Sequence, residues 1–274
     1  MPPSSSGPVD PIDRAHLTGR SRPSPPIHRY GPSQPLVPLV KRYWVPVWSV
    51  PEPQVQRTLQ HPACLIVVSN TYARFYGVAR GLSTVVLEGD GWAVGTMLTP
   101  GAGALVLGGP VTRMTDRYVD LAEISTIDAA GLVAAIRAAM DAAPHDPAAH
   151  RACISAIEGR LSALLPLDGT GQLVNDLVSW IQDHPEITRV TDLAAHLGST
   201  ERALQRLVLH RVGLTPKWLI QRRRLHDAVE RLKSGSVSLA ELAAELGYAD
   251  QAHLTHDFRA VTGMTPGAFL GDQH

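Results

Sequence analysis

Apolar and polar positions along the chain follow two regimes, and the change falls near residue 128. Between about Tyr30 and Ile124 the apolar runs are short, rich in Val, Leu and Thr, and cut by turns containing Gly or Pro. That texture predicts strands at residues 63–68, 83–87, 92–98 and 104–107. From Asp128 the spacing turns helical. Leu132, Ala135, Ile136 and Ala139 share one face, and Ile154, Ile157, Leu161 and Leu164 share another, with Pro144 and Pro147 between the two helices. The stretch LDGTG at 167–171 reads as a hinge. Everything after it reads as helix, beginning with a stripe of Val174, Leu177, Val178 and Ile181 that stops before Pro185. The predicted fold class is α+β: a β-rich N-terminal domain with trailing helices, followed by an all-α C-terminal domain. The expected divisions are a disordered tail at 1–29, a first domain at 30–166, a linker at 167–171 and a helical domain at 172–274. The tail is rich in Pro and Ser and has no apolar stretch to offset the entropy of ordering.

The helical domain contains a direct repeat. LAAHLG at 193–198 returns as LAAELG at 242–247, and GLTP at 213–216 returns as GMTP at 263–266, at offsets of 49 and 50 residues. Each copy begins with a short amphipathic helix ending at Gly198 or Gly247, a residue free to take the left-handed conformation of a helix end. After a tight turn a second helix starts, with Ser199 or Thr200 as its cap in the first copy and Asp250 in the second. SLAE at 238–241 fits a capping box. The second helix keeps Leu204, Leu207 and Val208 apolar in one copy and Leu254 and Phe258 in the other, and its opposite face carries long polar side chains. This is the local chemistry of a helix-turn-helix, whose second helix enters the major groove. Between the copies, Pro216 behind Thr215 opens a long helix striped by Leu225, Ala228, Val229 and Leu232 and ending near Gly235. Such a linker helix would fix the separation of the two units, so that their recognition helices reach successive major grooves roughly 34 Å apart.

Taken together, the repeat and the stretch GYADQAHLTHDFRAVTGMTPGAF resemble the AraC/XylS family of bacterial transcription regulators over about residues 172–270. The shared order is a Gly-aromatic turn, Gln251, a His, a Phe, a basic residue, Gly263, Pro266 and an aromatic. The upstream stretch GTMLTPGAGALVLGGPVTRMTDRYVDL is similar to an N-terminal domain often joined to this module. The resemblance implies two helix-turn-helix units joined by a helix, promoter DNA as partner, and a regulatory or sensor domain at 30–166. It also implies recruitment of RNA polymerase, hence activation, as the commoner mode, and a cytoplasmic protein. The N-terminal domain is expected to answer a small-molecule effector or to mediate dimerisation. The alternative is a DNA-binding regulator with no small-molecule ligand, controlled by a protein partner.

By that resemblance the family's base-contacting positions fall on Arg202, Gln205 and Arg206. Thr200 and His210 complete the first candidate set, and Gln251, His253, Thr255, His256 and Arg259 form the second. Arg pairs with guanine O6 and N7, and Gln with adenine N6 and N7. Local charge favours the first unit. Residues 188–224 hold eight bases against two acids, a formal +6, whereas residues 225–274 hold three bases against seven acids, a formal −4. The cluster Arg222, Arg223 and Arg224 is expected to face phosphates or acids of the second unit. His256 stands where the family often has Arg or Lys, so the second unit is expected to bind weakly and better as pH falls toward the imidazole range of ~6.5. His253 and His256, three residues apart, have a chelating spacing, but no carboxylate or cysteine in the motif completes a metal site.

Composition narrows the remaining classes. A chain of 274 residues with 44% hydrophobic content has room for about two domains at ~100–200 residues each. No apolar run approaches the ~18 residues of a membrane span, and the N-terminus lacks a secretory pattern. Net charge is zero, which is unusual for a DNA binder until the local asymmetry is seen. Two cysteines, Cys64 and Cys153, sit far apart among apolar residues and read as reduced core. That count excludes a Cys-rich alkyl-transfer site, and no GxSxG, phosphate loop or HExxH appears. An enzyme is therefore not expected, nor is any cofactor or metal. Asp116, Asp120 and Glu123 read as a solvated loop and helix start, and TPGAG at 99–103 reads as a turn. Trp44, Trp48 and Trp92 stand out in a chain with 5% aromatics. They read either as core or as the lining of a ligand pocket. The Ala-rich helices between 128 and 165 suit packing on the sheet or a dimer interface, and the sequence leaves both open.

Overall fold

The computed structural model describes Leu17, residues 25–235 and residues 238–271. Six strands form one antiparallel sheet: β1 (Ile27–Tyr30), β2 (Val40–Leu59), β3 (Leu65–Ser69), β4 (Ala73–Tyr76), β5 (Leu82–Leu98) and β6 (Tyr118–Asp120), in the order β1-β2-β5-β3-β4-β6. β2 and β5 pair from Val40 with Leu98 to Leu59 with Leu82 and extend as a ribbon beyond the other strands.

The sequence pattern hid much of this ribbon. β2 carries Pro46, Pro51 and Pro53, which argue against a strand. The register shifts between Val50 and Gln54, so Pro51 and Pro53 lie in a bulge where the ladder is interrupted. The expected strands 83–87 and 92–98 are one strand, with Gly89 at φ +54° paired to Val50 at the edge of the bulge. The expected strand at 104–107 is instead helix α1 (Gly103–Leu107), closed by Gly108 at φ +69°. A short apolar run does not separate a strand from a buried helical turn, and here the left-handed glycine marks the helix.

β1 begins within the stretch assigned to the tail, and Leu17 is buried with its N–H donated to the Arg57 carbonyl. The other residues of 1–24 lie outside the described residues. Helices α2 (Ala129–Ala142) and α3 (Pro147–Leu161) are capped by Asp128 and Asp146. Leu132, Ile136, Met140, Cys153 and Ile157 pack with Ile66 and Val94 of the sheet.

The stretch 167–171 is not a hinge. Asp168 accepts from Gly171 N–H and caps α4 (Gly169–Asp183), so the glycines are the first helical turn. The same core cluster continues through Val174 and Leu177 of α4 into Leu204, Val208 and Leu219 of the helical region. The sheet domain and the first repeat thus share one core. That region comprises α5 (Val190–His196), α6 (Glu201–Val212), α7 (Pro216–Ser234), α8 (Leu239–Glu245), α9 (Gln251–Thr262) and α10 (Pro266–Gly271). A second cluster joins Leu225, Leu242, Leu254, Phe258 and Phe269 to Leu59 at the end of the ribbon and to Leu17.

Candidate nucleic-acid interface

Each repeat folds as the local chemistry dictates. α5 ends at Gly198 (φ +56°) and α8 at Gly247 (φ +71°). Thr200 caps α6 by accepting from Ala203 N–H, and Asp250 caps α9 by accepting from His253 N–H. Ser238 and Glu241 form the reciprocal capping box that opens α8. α7 begins at Pro216 behind Thr215 and closes at Gly235 in the left-handed region.

α6 is anchored at its C-terminal end and open at its N-terminal end. Val208 and Val212 are buried with Val111 and Met114 of the sheet domain. Arg211 pairs with Asp168 at 2.6 Å and also donates to Thr170. The Thr115 hydroxyl donates to the carbonyl of Gly213 just beyond the helix. The other end presents Arg202, Gln205 and Arg206, all exposed, with His210 exposed one turn later. Among the described residues neither Arg202 nor Arg206 has an ion pair. In a helix-turn-helix the N-terminal residues of the recognition helix contact base edges, and that is the end left uncommitted.

In the second unit Gln251, Thr255, His256 and Arg259 line one shallow depression on α9. His253, expected with them, is drawn aside: its ring meets Tyr248 edge-on at 5.2 Å and Asp257 at 3.9 Å. Asp257 itself accepts from Gln221 of α7. His253 and His256 therefore do not converge, and no metal-holding cluster occurs among the described residues.

The arginine cluster corrects the charge picture. Arg222, Arg223 and Arg224 are all buried and do not face DNA. Arg222 donates to the carbonyls of Ala79, Arg80 and Gly81. Arg223 pairs with Asp227 at 2.8 Å and bonds the Pro185 carbonyl. Arg224 stacks on Tyr248 at 3.6 Å, and burial raises that phenol to about 12. With Arg211 tied to Asp168, the exposed bases of 188–224 are Arg189, Arg202, Arg206 and Lys217. The formal +6 overstates the field that DNA meets.

The tryptophans divide between the two sheet faces. Trp92 is buried in the main core and donates to Asp141 at 3.2 Å. Trp44 and Trp48 lie on the opposite face, flat over Gly95 and Gly91; a Cβ there would come within 2.1 and 2.4 Å of the indoles. They line a recess of about 180 Å³ with Leu65, Val67, Tyr72 and Tyr76. Elsewhere Asp116 binds Arg80, while Asp120 and Glu123 cap a short 3-10 helix, so these acids are structural.

Sequence reasoning missed Asp168. Burial raises its pKa, but hydrogen bonds from Thr170, Gly171 and Arg211 outweigh this and hold it well below the usual carboxylate range. Its contribution is present above about pH 4 and is lost as pH falls through the depressed value. Asp168→Ala removes the cap of α4 and the partner of Arg211, and is expected to cost about 1–2 kcal/mol, read as a lower urea midpoint. A variant with an unchanged midpoint would show the clamp to be idle.

Two helix-turn-helix units held by one linker helix define a DNA-binding module. Residues 193–272 match a family model described as "Helix-turn-helix domain", and residues 28–120 match a "Domain of unknown function (DUF6597)". The chain is 30% identical over 105 residues to the uncharacterized HTH-type transcriptional regulator YfiF of Bacillus subtilis (strain 168), covering 38% of this chain and 33% of that one. It is 31% identical over 109 residues to the HTH-type transcriptional activator RhaS of Escherichia fergusonii, covering 39% of each. These matches span well under half the length of either relative. Among solved structures, the C-terminal domain of AraT from Geobacillus stearothermophilus aligns at TM-score 0.36 and 21% identity, over 39% of this chain and 89% of that one. ToxT of Vibrio cholerae with an unsaturated fatty acid bound aligns at 0.40 and 12%, over 94% of each. The C-terminal part of the chain carries an AraC-type helix-turn-helix domain with homology to the RhaS and YfiF transcriptional regulators.

Proposed function

We propose that the protein is a sequence-specific transcription regulator that binds promoter DNA through both helix-turn-helix units and activates by recruiting RNA polymerase. The observation that carries this reading is the exposed N-terminal half of α6, where Arg202, Gln205 and Arg206 face solvent and, among the described residues, the two arginines have no ion pair, while the C-terminal end of the helix is anchored. The second unit contributes Gln251, Thr255, His256 and Arg259. The N-terminal domain gates this binding, and the recess over Trp44 and Trp48 takes a small apolar effector, since such sites are concave and mostly apolar. Support for gating comes from the core shared between the sheet domain and the first unit.

The test is selection of genomic fragments bound by the full chain, followed by footprinting. Protection over two successive major grooves, about 34 Å apart, is expected. A reporter placed behind the selected site then gives the sign of regulation. Failure of any fragment to exceed random DNA would overturn the proposal.

A further inference from the structure

A second cavity, of about 250 Å³, lies where the turn after β2, helix α4 and linker helix α7 meet. Pro62, Val178, Ile181 and Leu219 form an apolar wall, and His61, Arg222 and His226 form a polar one. On that polar wall, nitrogens of Arg222 and His61 are left without partners. Arg222 is 2% exposed. Its Nη2 serves the carbonyls of residues 79–81, but its Nε and Nη1 are buried without a hydrogen-bond partner. His61 stacks on His226 with ring centroids 4.5 Å apart, and His61 Nε2 is also buried without a partner.

The acids of the cavity do not answer this need. Asp227 is held by Arg223, and Glu230, one turn beyond His226, has an interaction of its own. Among the described residues no carboxylate lies within ion-pair distance of Arg222. Burial lowers Arg222 to about 9, with Asp116 opposing. Burial, reinforced by Arg222, Lys41 and Arg42, lowers His61 to about 4. A buried donor left without an acceptor bears the full desolvation cost of that group, and a charged one bears more.

We propose that this cavity binds a small molecule carrying one anionic oxygen group, a carboxylate or a phosphate, on a compact apolar body. The anion pairs with Nε and Nη1 of Arg222 and with His61, and the body packs on Pro62, Val178, Ile181 and Leu219. The Arg222 nitrogens are closed to solvent, so the anion reaches them by displacing a side chain of the wall. The volume lies below the ~300–1,000 Å³ typical of drug-sized ligands, which limits the ligand to a small one. This site adjoins the recess over Trp44 and Trp48, with His61 lining both, but Arg222 and the wall of Val178, Ile181 and Leu219 belong to it and not to the recess. Its occupant touches both the sheet domain and the helix that spaces the two DNA-binding units, so its binding is coupled to their arrangement.

The experiment titrates the full chain with sodium benzoate, inorganic phosphate and neutral benzamide, with sodium chloride matching ionic strength. Melting temperature and the imidazole NMR signals of His61 and His226 are followed. Benzoate or phosphate is expected to raise the melting temperature and to shift both imidazoles saturably, while benzamide and chloride leave them unmoved. A response to benzoate alone identifies a carboxylate ligand, and a response to phosphate alone a phosphorylated one. Arg222→Gln should abolish binding. Because Arg222 also ties residues 79–81, the second variant is Gln182→Glu, at an exposed lining position. It places a like charge at the cavity and should weaken anion binding about tenfold with the melting temperature of the unliganded protein unchanged. No saturable imidazole shift with either anion, an equal response to benzamide, or undiminished binding by Gln182→Glu overturns the proposal.

Discussion

Arg206→Ala is expected to weaken binding to a selected operator by roughly tenfold to a hundredfold, in line with the ~1–3 kcal/mol of a bidentate base contact. Arg206 is exposed on α6 and has no ion pair among the described residues, so the variant's melting temperature should hold. The loss is large because α6 is fixed from behind by Val208, Val212 and the Arg211–Asp168 pair, which leaves no slack for another side chain to take over. Salt titration separates the two kinds of contact. A phosphate contact lowers the slope of log affinity against log salt by about 0.9 on substitution, whereas a base contact leaves the slope unchanged and relaxes sequence preference. With Arg211, Arg222, Arg223 and Arg224 removed from the DNA-facing set, the first unit supports a slope of about −4 or shallower. Affinity within twofold of the parent protein would place α6 away from the groove.

The helix-turn-helix units were legible because their signals are local. Glycine ends, the Thr200 and Asp250 caps and the 238–241 box each lie within a few residues of the feature they determine, and the repeat states each of them twice. Arg222–Arg224 were misread for the opposite reason. A basic triplet looks the same whether it meets solvent or a neighbouring domain, and apart from Asp227 one turn along the helix its partners, the carbonyls of residues 79–81 and 185 and the ring of Tyr248, are remote in sequence. β2 stayed hidden because Pro51 and Pro53 suit a bulge that only the pairing with β5 reveals. The tryptophans were visible as a group, but their division between two faces depends on strand register: Trp48 pairs with Gly91 and Trp44 with Gly95, whereas Trp92 itself points to the other side. The seam at 167–171 carried the pattern of a flexible joint; its Asp168 cap is local, but Arg211 and Gly101, which also hold it, are distant in sequence.

That seam gives the second large effect. Gly101→Ala is expected to destabilise the protein by about 3 kcal/mol or more, the upper range for overpacking a dense interior. A Cβ on Gly101 would lie 2.1 Å from the Gly171 carbonyl oxygen and 2.8 Å from its Cα. Both obstacles are backbone in the first turn of α4, so no rotamer change relieves them and the two segments must separate. Separation also stretches the bond from Gly101 N–H to Asn175 and those from Asn175 to Pro38 and Thr99. The melting temperature should fall by roughly 10 °C, at about 2–4 °C per kcal/mol for a chain of this size. The effect on function follows from the shared core. α4 packs on α6 and α7, so moving it shifts the first DNA-binding unit relative to the sheet domain. A Gly101→Ala protein that still melts cooperatively should bind operator DNA but lose its response to occupants of the sheet domain. Unchanged stability would mean that the two glycine backbones are not in contact in solution, and the rigid seam would then be wrong.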